Sequence, residues 1–144
     1  MEMIFIGGLY PKDRLDEIKK STRYLDFAAD AFQWALLDGF ELNSIPVRVI
    51  TLPNLRDFPK YYNKIYVKSS NFSHRIGRED ICLGFITIPF IKHISKYLTL
   101  RHSMIMTIEQ SGEIHLIVYG IHSPYLKAVE KIKIKNKRIK AYLI

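Results

Sequence analysis

Cysteine is nearly missing from this chain: Cys82 is the only one, so no disulfide can close within it. Cys82 stands in the apolar run "ICLGFITIPFI" (81–91), which predicts a buried thiol and a reducing, cytoplasmic setting. That run is the longest of its kind, is interrupted by Gly84 and Pro89, and falls well short of the ~18 residues a membrane-spanning helix needs. The opening "MEMIFIGG" has neither the basic segment nor the long apolar segment of a secretory signal. Glycine-rich phosphate loops are also lacking. "GGLYPKD" (7–13) supplies neither the third glycine of G-x-G-x-x-G nor an immediate helix, and no G-x-x-x-x-G-K-[ST] occurs. The five histidines show no metal-site spacing with a third ligand nearby, so no metal centre and no cofactor are expected. The fourteen acidic residues are dispersed, which disfavours catalysis by paired carboxylates.

What the chain does have is positive charge and apolar segments. Its formal net charge is +8, and residues 127–144, "KAVEKIKIKNKRIKAYLI", hold seven basic residues against one acidic. Such a surface attracts phosphates of nucleic acid, anionic lipid or nucleotide sugars, or is simply a solvated face. A length of 144 residues suits one domain.

Residues 3–6, "MIFI", read as a strand buried on both faces and ended by Gly7-Gly8. Residues 9–21 read as a loop with a helical start. Helical spacing runs from 24 to 37 through Leu25, Ala28, Ala29, Phe32, Ala35 and Leu36. Strands are predicted at 46–53, 64–70, 80–89 (becoming a loop at its end), 113–120 and 138–144. Residues 90–111 are predicted helical, with Ile91, Ile94, Leu98, Ile105 and Ile108 near one face and a break near Thr99. A last helix spans 124–136. The order β-α-β-β-β-α-β-α-β predicts one α/β domain, a mainly parallel sheet with helices on both faces in a Rossmann-like three-layer sandwich.

In such sheets ligands bind beyond the carboxyl ends of strands, where strand order reverses. Gly7 and Gly8 end the first strand there. They permit close backbone approach and unusual dihedrals, and their amides are candidates to face a phosphate; the alternative is a tight turn. His122 follows the strand 113–120 at the same end, placed to exchange a proton or hydrogen-bond a sugar hydroxyl. Ser123 and the free amides before the next helix are candidates for an oxyanion; the alternative is a histidine that only caps that helix. The loop "PNLRDFPKYYNKIYVK" (53–68) mixes Arg56, Lys60 and Lys64 with Phe58, Tyr61 and Tyr62, a surface able to stack sugars or bases or to meet a membrane. His74, in "NFSHRIGRED", is expected to reach over the site. His93, Lys92, Lys96, Arg101 and His102 read as an ordinary polar helix face.

Together, "GGLYPKD", "DFAADAFQWALLDGF", "LPNLRDFPKYY", "GFITIPFIKHISKYL" and "IVYGIHSPYLKA" resemble the amino-terminal half of a bacterial GT-B glycosyltransferase of family 4, the glycosyl transferases group 1. The resemblance covers essentially the whole chain and rests on the order and spacing of these blocks. It implies a domain that binds the acceptor and faces a second Rossmann-like domain, which binds the nucleotide-sugar donor and carries an E-x7-E-like motif. It also implies metal-independent, retaining transfer. Carried over, Gly7 and Gly8 match the glycine loop near donor diphosphate and acceptor, and His122 matches the histidine facing the reacting sugar. The basic and aromatic loops match the surface that meets the membrane in members using lipid-linked acceptors. The chain ends at "AYLI", where the family continues into its donor domain, so a separated acceptor-side domain with little activity alone is expected. The competing reading is a non-enzymatic basic module binding nucleic acid along 131–140, or a protein partner.

Overall fold

In the computed structural model, which describes residues 1–144, the first apolar run becomes the centre of a sheet. Strand β1 (Glu2–Gly7) pairs in parallel with β2 (Val47–Thr51) on one side and β7 (Ile114–Val118) on the other. A strand flanked on both edges and covered on both faces has no wet side, which is why Ile4, Phe5 and Ile6 are all apolar and buried. Outside β2 lies β5 (Asp80–Cys82), and outside β7 lies β8 (Ile139–Leu143), both parallel. Strand β4 (Ser70–Phe72) closes the β5 edge antiparallel, giving the order β4-β5-β2-β1-β7-β8. A separate two-stranded ribbon pairs β3 (Tyr66–Val67) with β6 (Phe85–Ile86).

Helix α2 (Phe27–Leu42) covers one face, with Trp34 and Leu37 on Phe5, Val47, Val49 and Ile117. Asp26 caps it by accepting the Ala29 N–H. The other face carries α3 (Ile91–Ile108) and α4 (Ser123–Lys135), which pack on each other and on the larger core around Ile4, Ile6, Leu116 and Val118. Between β1 and α2 the chain forms a short 3-10 turn (Lys12–Arg14) and α1 (Leu15–Ser21), anchored by buried Ile18. This is an α/β protein with a six-stranded, mostly parallel sheet, consistent with a Rossmann-like α/β/α fold. No helix is long and apolar enough to cross a membrane.

Two sequence expectations are corrected. Helix α3 has no break at Thr99; its hydroxyl bonds back to the Ser95 and Lys96 carbonyls, so the β-branched residue is satisfied within the helix. And α3 buries a face that takes in only Ile108 of the apolar stripe read from the spacing. Lys96, Leu100, Met104, Thr107 and Ile108 point inward, whereas Ile91, Ile94, Leu98 and Ile105 are 46%, 61%, 53% and 37% exposed. The helix carries two apolar stripes, and spacing alone does not say which one meets the sheet.

Candidate functional site

Strand order reverses between β1 and β7, so the carboxyl ends of these strands border the crevice of the fold. The two ends touch: the Tyr119 N–H donates to the Ile6 carbonyl (2.9 Å). A chain of contacts links Gly7 to His122. The Gly7 carbonyl accepts the Leu52 N–H (3.0 Å), the Leu52 carbonyl accepts the Tyr125 hydroxyl (3.1 Å), and the Tyr125 ring lies 5.1 Å from that of His122. The twin glycines and the histidine therefore share one rim, more than a hundred residues apart in sequence.

The glycines do different work from that expected of them. Neither has a positive φ. A Cβ on Gly7 would stand 2.2 Å from Gln33 Oε1 and 2.8 Å from the Phe5 ring. Gln33, buried on α2, accepts the Gly8 N–H (2.9 Å) and donates to the Ala29 carbonyl. So the close approach at Gly7 is to a side chain of the protein, and the Gly8 amide is engaged rather than facing a phosphate. The loop beyond is pinned: the Tyr10 N–H donates to Asp30 (2.8 Å), and the Tyr10 hydroxyl donates to the Asn54 carbonyl (2.8 Å).

Gly120 turns the chain out of β7 at φ +80°, a conformation that favours glycine, and the His122 ring lies over it. His122 holds the N-cap position of α4, but its ring makes no capping bond. Its carbonyl accepts the Tyr125 and Leu126 amides, and Pro124 has no N–H, so of the amides expected to hold an oxyanion those of Ile121 and Ser123 stay free. Burial, then the charges of Lys96 and His93, lowers the His122 pKa, so the imidazole is neutral at pH 7. A neutral, exposed imidazole without an internal hydrogen bond is equipped to accept a proton or a hydroxyl hydrogen bond.

Below it lies a group the sequence does not flag. Lys96 is 8% exposed. Its Nζ sits 4.5 Å from the centre of the Phe85 ring and 6.0 Å from that of Tyr125. Burial, then the charge of Lys92, pulls its pKa down to about 7 against the opposing pull of Asp57. Lys92, one turn earlier, is tied to the Asp57 carboxylate and the Leu55 carbonyl. At the start of α3, Phe90 is held at φ +66° and is 89% exposed.

The loop 53–68 divides. Tyr62 is buried and not part of a surface. Arg56 lies between Tyr24 (4.9 Å) and Tyr61 (5.2 Å), and Lys60 covers the Tyr61 ring (4.9 Å). Tyr24, Lys60 and Tyr61 line a cationic hollow of about 460 Å³ with Lys19, Lys20 and Arg23, and Arg56 lines a second of about 350 Å³ with Arg23, Tyr24, Asp26 and Asn54. Phe58 is half-buried at the base of this loop. His74 does not reach over the crevice. Its side chain is 2% exposed and bonds Asp80 Oδ2 (2.6 Å) and Glu41 (3.3 Å) at the start of β5, the amino end of the sheet. The antiparallel β4 carries the 73–79 turn to that end. The Cys82 thiol, buried, is pushed up to about 11 and is no nucleophile. No three His, Cys, Asp or Glu side chains are grouped to hold a metal ion.

These features define a doubly wound α/β protein whose carboxyl-end crevice is rimmed by glycine, neutral histidine, buried lysine and aromatic groups. No protein-family model, curated protein or solved structure matches the chain.

Proposed function

We propose that this chain is the acceptor-side domain of a GT-B glycosyltransferase, moving a sugar from a nucleotide-sugar donor to a saccharide or lipid-linked acceptor in glycan biosynthesis. The observation that carries the reading is the shared rim: Gly7, Gly8 and His122 stand at the reversal of strand order, the position the resemblance assigns to the acceptor and the reacting sugar. The donor comes to this rim on a second α/β domain, and without that domain the chain has little or no transferase activity. His122, neutral at pH 7, accepts a hydrogen bond from the reacting sugar. The Tyr24, Arg56, Lys60 and Tyr61 surface meets a lipid-linked acceptor at the inner, cytoplasmic face of the cell membrane.

The test is a transfer assay of this chain, alone and combined with a donor-binding domain of the same class, across a panel of nucleotide sugars. Turnover is expected only in the combination. His122→Ala is expected to lower kcat by roughly 10²-fold or more. Wild-type kcat should fall on acidification through the lowered His122 pKa, as the imidazole charges. Robust turnover by the chain alone, or turnover in the combination indifferent to His122→Ala, would overturn the reading.

A further inference from the structure

We propose that Lys96, with Lys92 and His122 beside it, forms an anion subsite in this crevice that takes a phosphate oxygen of a diphosphate group. The inference rests on the crevice assigned above and gives it a ligand chemistry.

A buried ammonium is costly unless it is paired, by several kcal/mol even after relaxation. Lys92 meets that requirement with Asp57 and the Leu55 carbonyl. Lys96 does not: its Nζ enters no hydrogen bond or ion pair of the protein and meets only the faces of Phe85 and Tyr125. Ring faces offset such a charge only in part, and less than a carboxylate does. The Nζ is not wholly sealed, since the one side-chain nitrogen both closed to solvent and unpartnered is Arg48 Nε. The groups facing it are cationic or neutral apart from Asp57, already held by Lys92. They are Lys92 on α3, His122 and Tyr125 on α4, and Phe85 on β6. An incoming dianion supplies the missing partner and favours the protonated amine. Lys92, one helical turn before Lys96, is already engaged by Asp57 and adds only its charge to the subsite. The diphosphate belongs either to a nucleotide sugar or to a polyprenyl-linked acceptor.

The experiment uses the full chain with 13C at lysine Cε, titrated with inorganic pyrophosphate and followed by NMR. The Lys96 signal is expected to move on binding, its titration midpoint to rise, and affinity to fall as pH is raised from 6 to 8. Lys96→Met is expected to weaken pyrophosphate binding at least about tenfold. Lys133→Met, an exposed lysine late in α4, should leave it unchanged. A Lys96 signal that ignores pyrophosphate, or equal affinities in the two variants, overturns the proposal. Competition then assigns the source: stronger displacement by farnesyl diphosphate points to the acceptor, stronger displacement by uridine diphosphate to the donor, and displacement by neither overturns a substrate role. Pyrophosphate binding at Lys96 without sugar transfer in any combination keeps the subsite and removes the transferase reading.

Discussion

At the amino end of the sheet His74 is sealed between carboxylates; at the carboxyl end Lys96 is sealed almost as well, with none. The His74, Asp80 and Glu41 side chains are 2%, 0% and 7% exposed, and each finds partners. Asp80 Oδ1 accepts the Val49 N–H (2.8 Å), Oδ2 accepts the His74 N–H (2.6 Å), and Arg78 forks onto Glu41 with two 2.8 Å bonds. Arg78 holds the Glu41 carboxyl down to about 2 against the effect of burial. Burial pulls His74 down, but Asp80 and then Glu41 more than offset it, so its pKa is raised. A closed set of this kind joins the end of α2 to the β4–β5 turn and presents nothing to a ligand. The crevice has the opposite character: a buried, unpaired lysine beneath an exposed, unbonded imidazole and the free amides of Ile121 and Ser123. A buried polar group that lacks a partner marks the end of the molecule that awaits one.

The sharpest way to break this contrast is at Asp80. Asp80→Ala leaves the Val49 and His74 amides and the His74 ring Nδ1 without their acceptor in a site closed to water. The expected loss is about 3–5 kcal/mol, read by urea denaturation. A loss below about 1 kcal/mol would mean that the amino-end cluster is not the closed structural unit described.

How far the sequence reveals this division depends on the range of the forces involved. The core strands are legible because burial on both faces demands mostly apolar and β-branched residues, as in "MIFI", "VRVIT" and "HLIV", where Arg48 and His115 are only partly buried. His122 is legible by position, since strand, glycine, proline and helix follow one another in ten residues. Gln33 and Lys96 are not. Each reads as a polar helix position, and its burial is decided by groups far off in the chain: Gly8 for Gln33, Phe85 and Tyr125 for Lys96. His74 is missed for a related reason. Its loop is readable, but the end of the sheet it visits depends on the antiparallel pairing of β4 with β5, which no local pattern encodes.

A smaller effect, of opposite sign, is expected at Lys96. Its pKa of about 7 in the folded protein lies below the ordinary 10.5 it regains on unfolding. The unfolded chain therefore holds the proton more tightly. Folding is penalised at pH 7 and below, and stability climbs as pH rises from about 7 toward 10.5. Lys96→Met removes the penalty and fills similar volume. The variant should be more stable than wild type at pH 6, by about 2 kcal/mol, and the difference should shrink by pH 10. Chemical denaturation at the two pH values reads both. A variant less stable at each pH would show that the ammonium is already satisfied in the native state, and the contrast between the two ends would fail.

The smallest expected effect tests which face of α3 holds the fold together. Ile94 and Leu98 belong to the stripe that spacing alone assigns to the core, yet both are more than half exposed, while Leu100 on the opposite stripe is fully buried. Replacing Ile94 and Leu98 together with Gln removes apolar surface that already meets water. The double variant should stay within about 0.5 kcal/mol of wild type, as exposed substitutions do. Leu100→Ala should cost roughly 2–5 kcal/mol through lost burial and the cavity left behind. If the glutamines cost as much as the alanine, the apolar face at 94 and 98 is buried in solution, and α3 is turned toward the sheet as its periodicity first suggests.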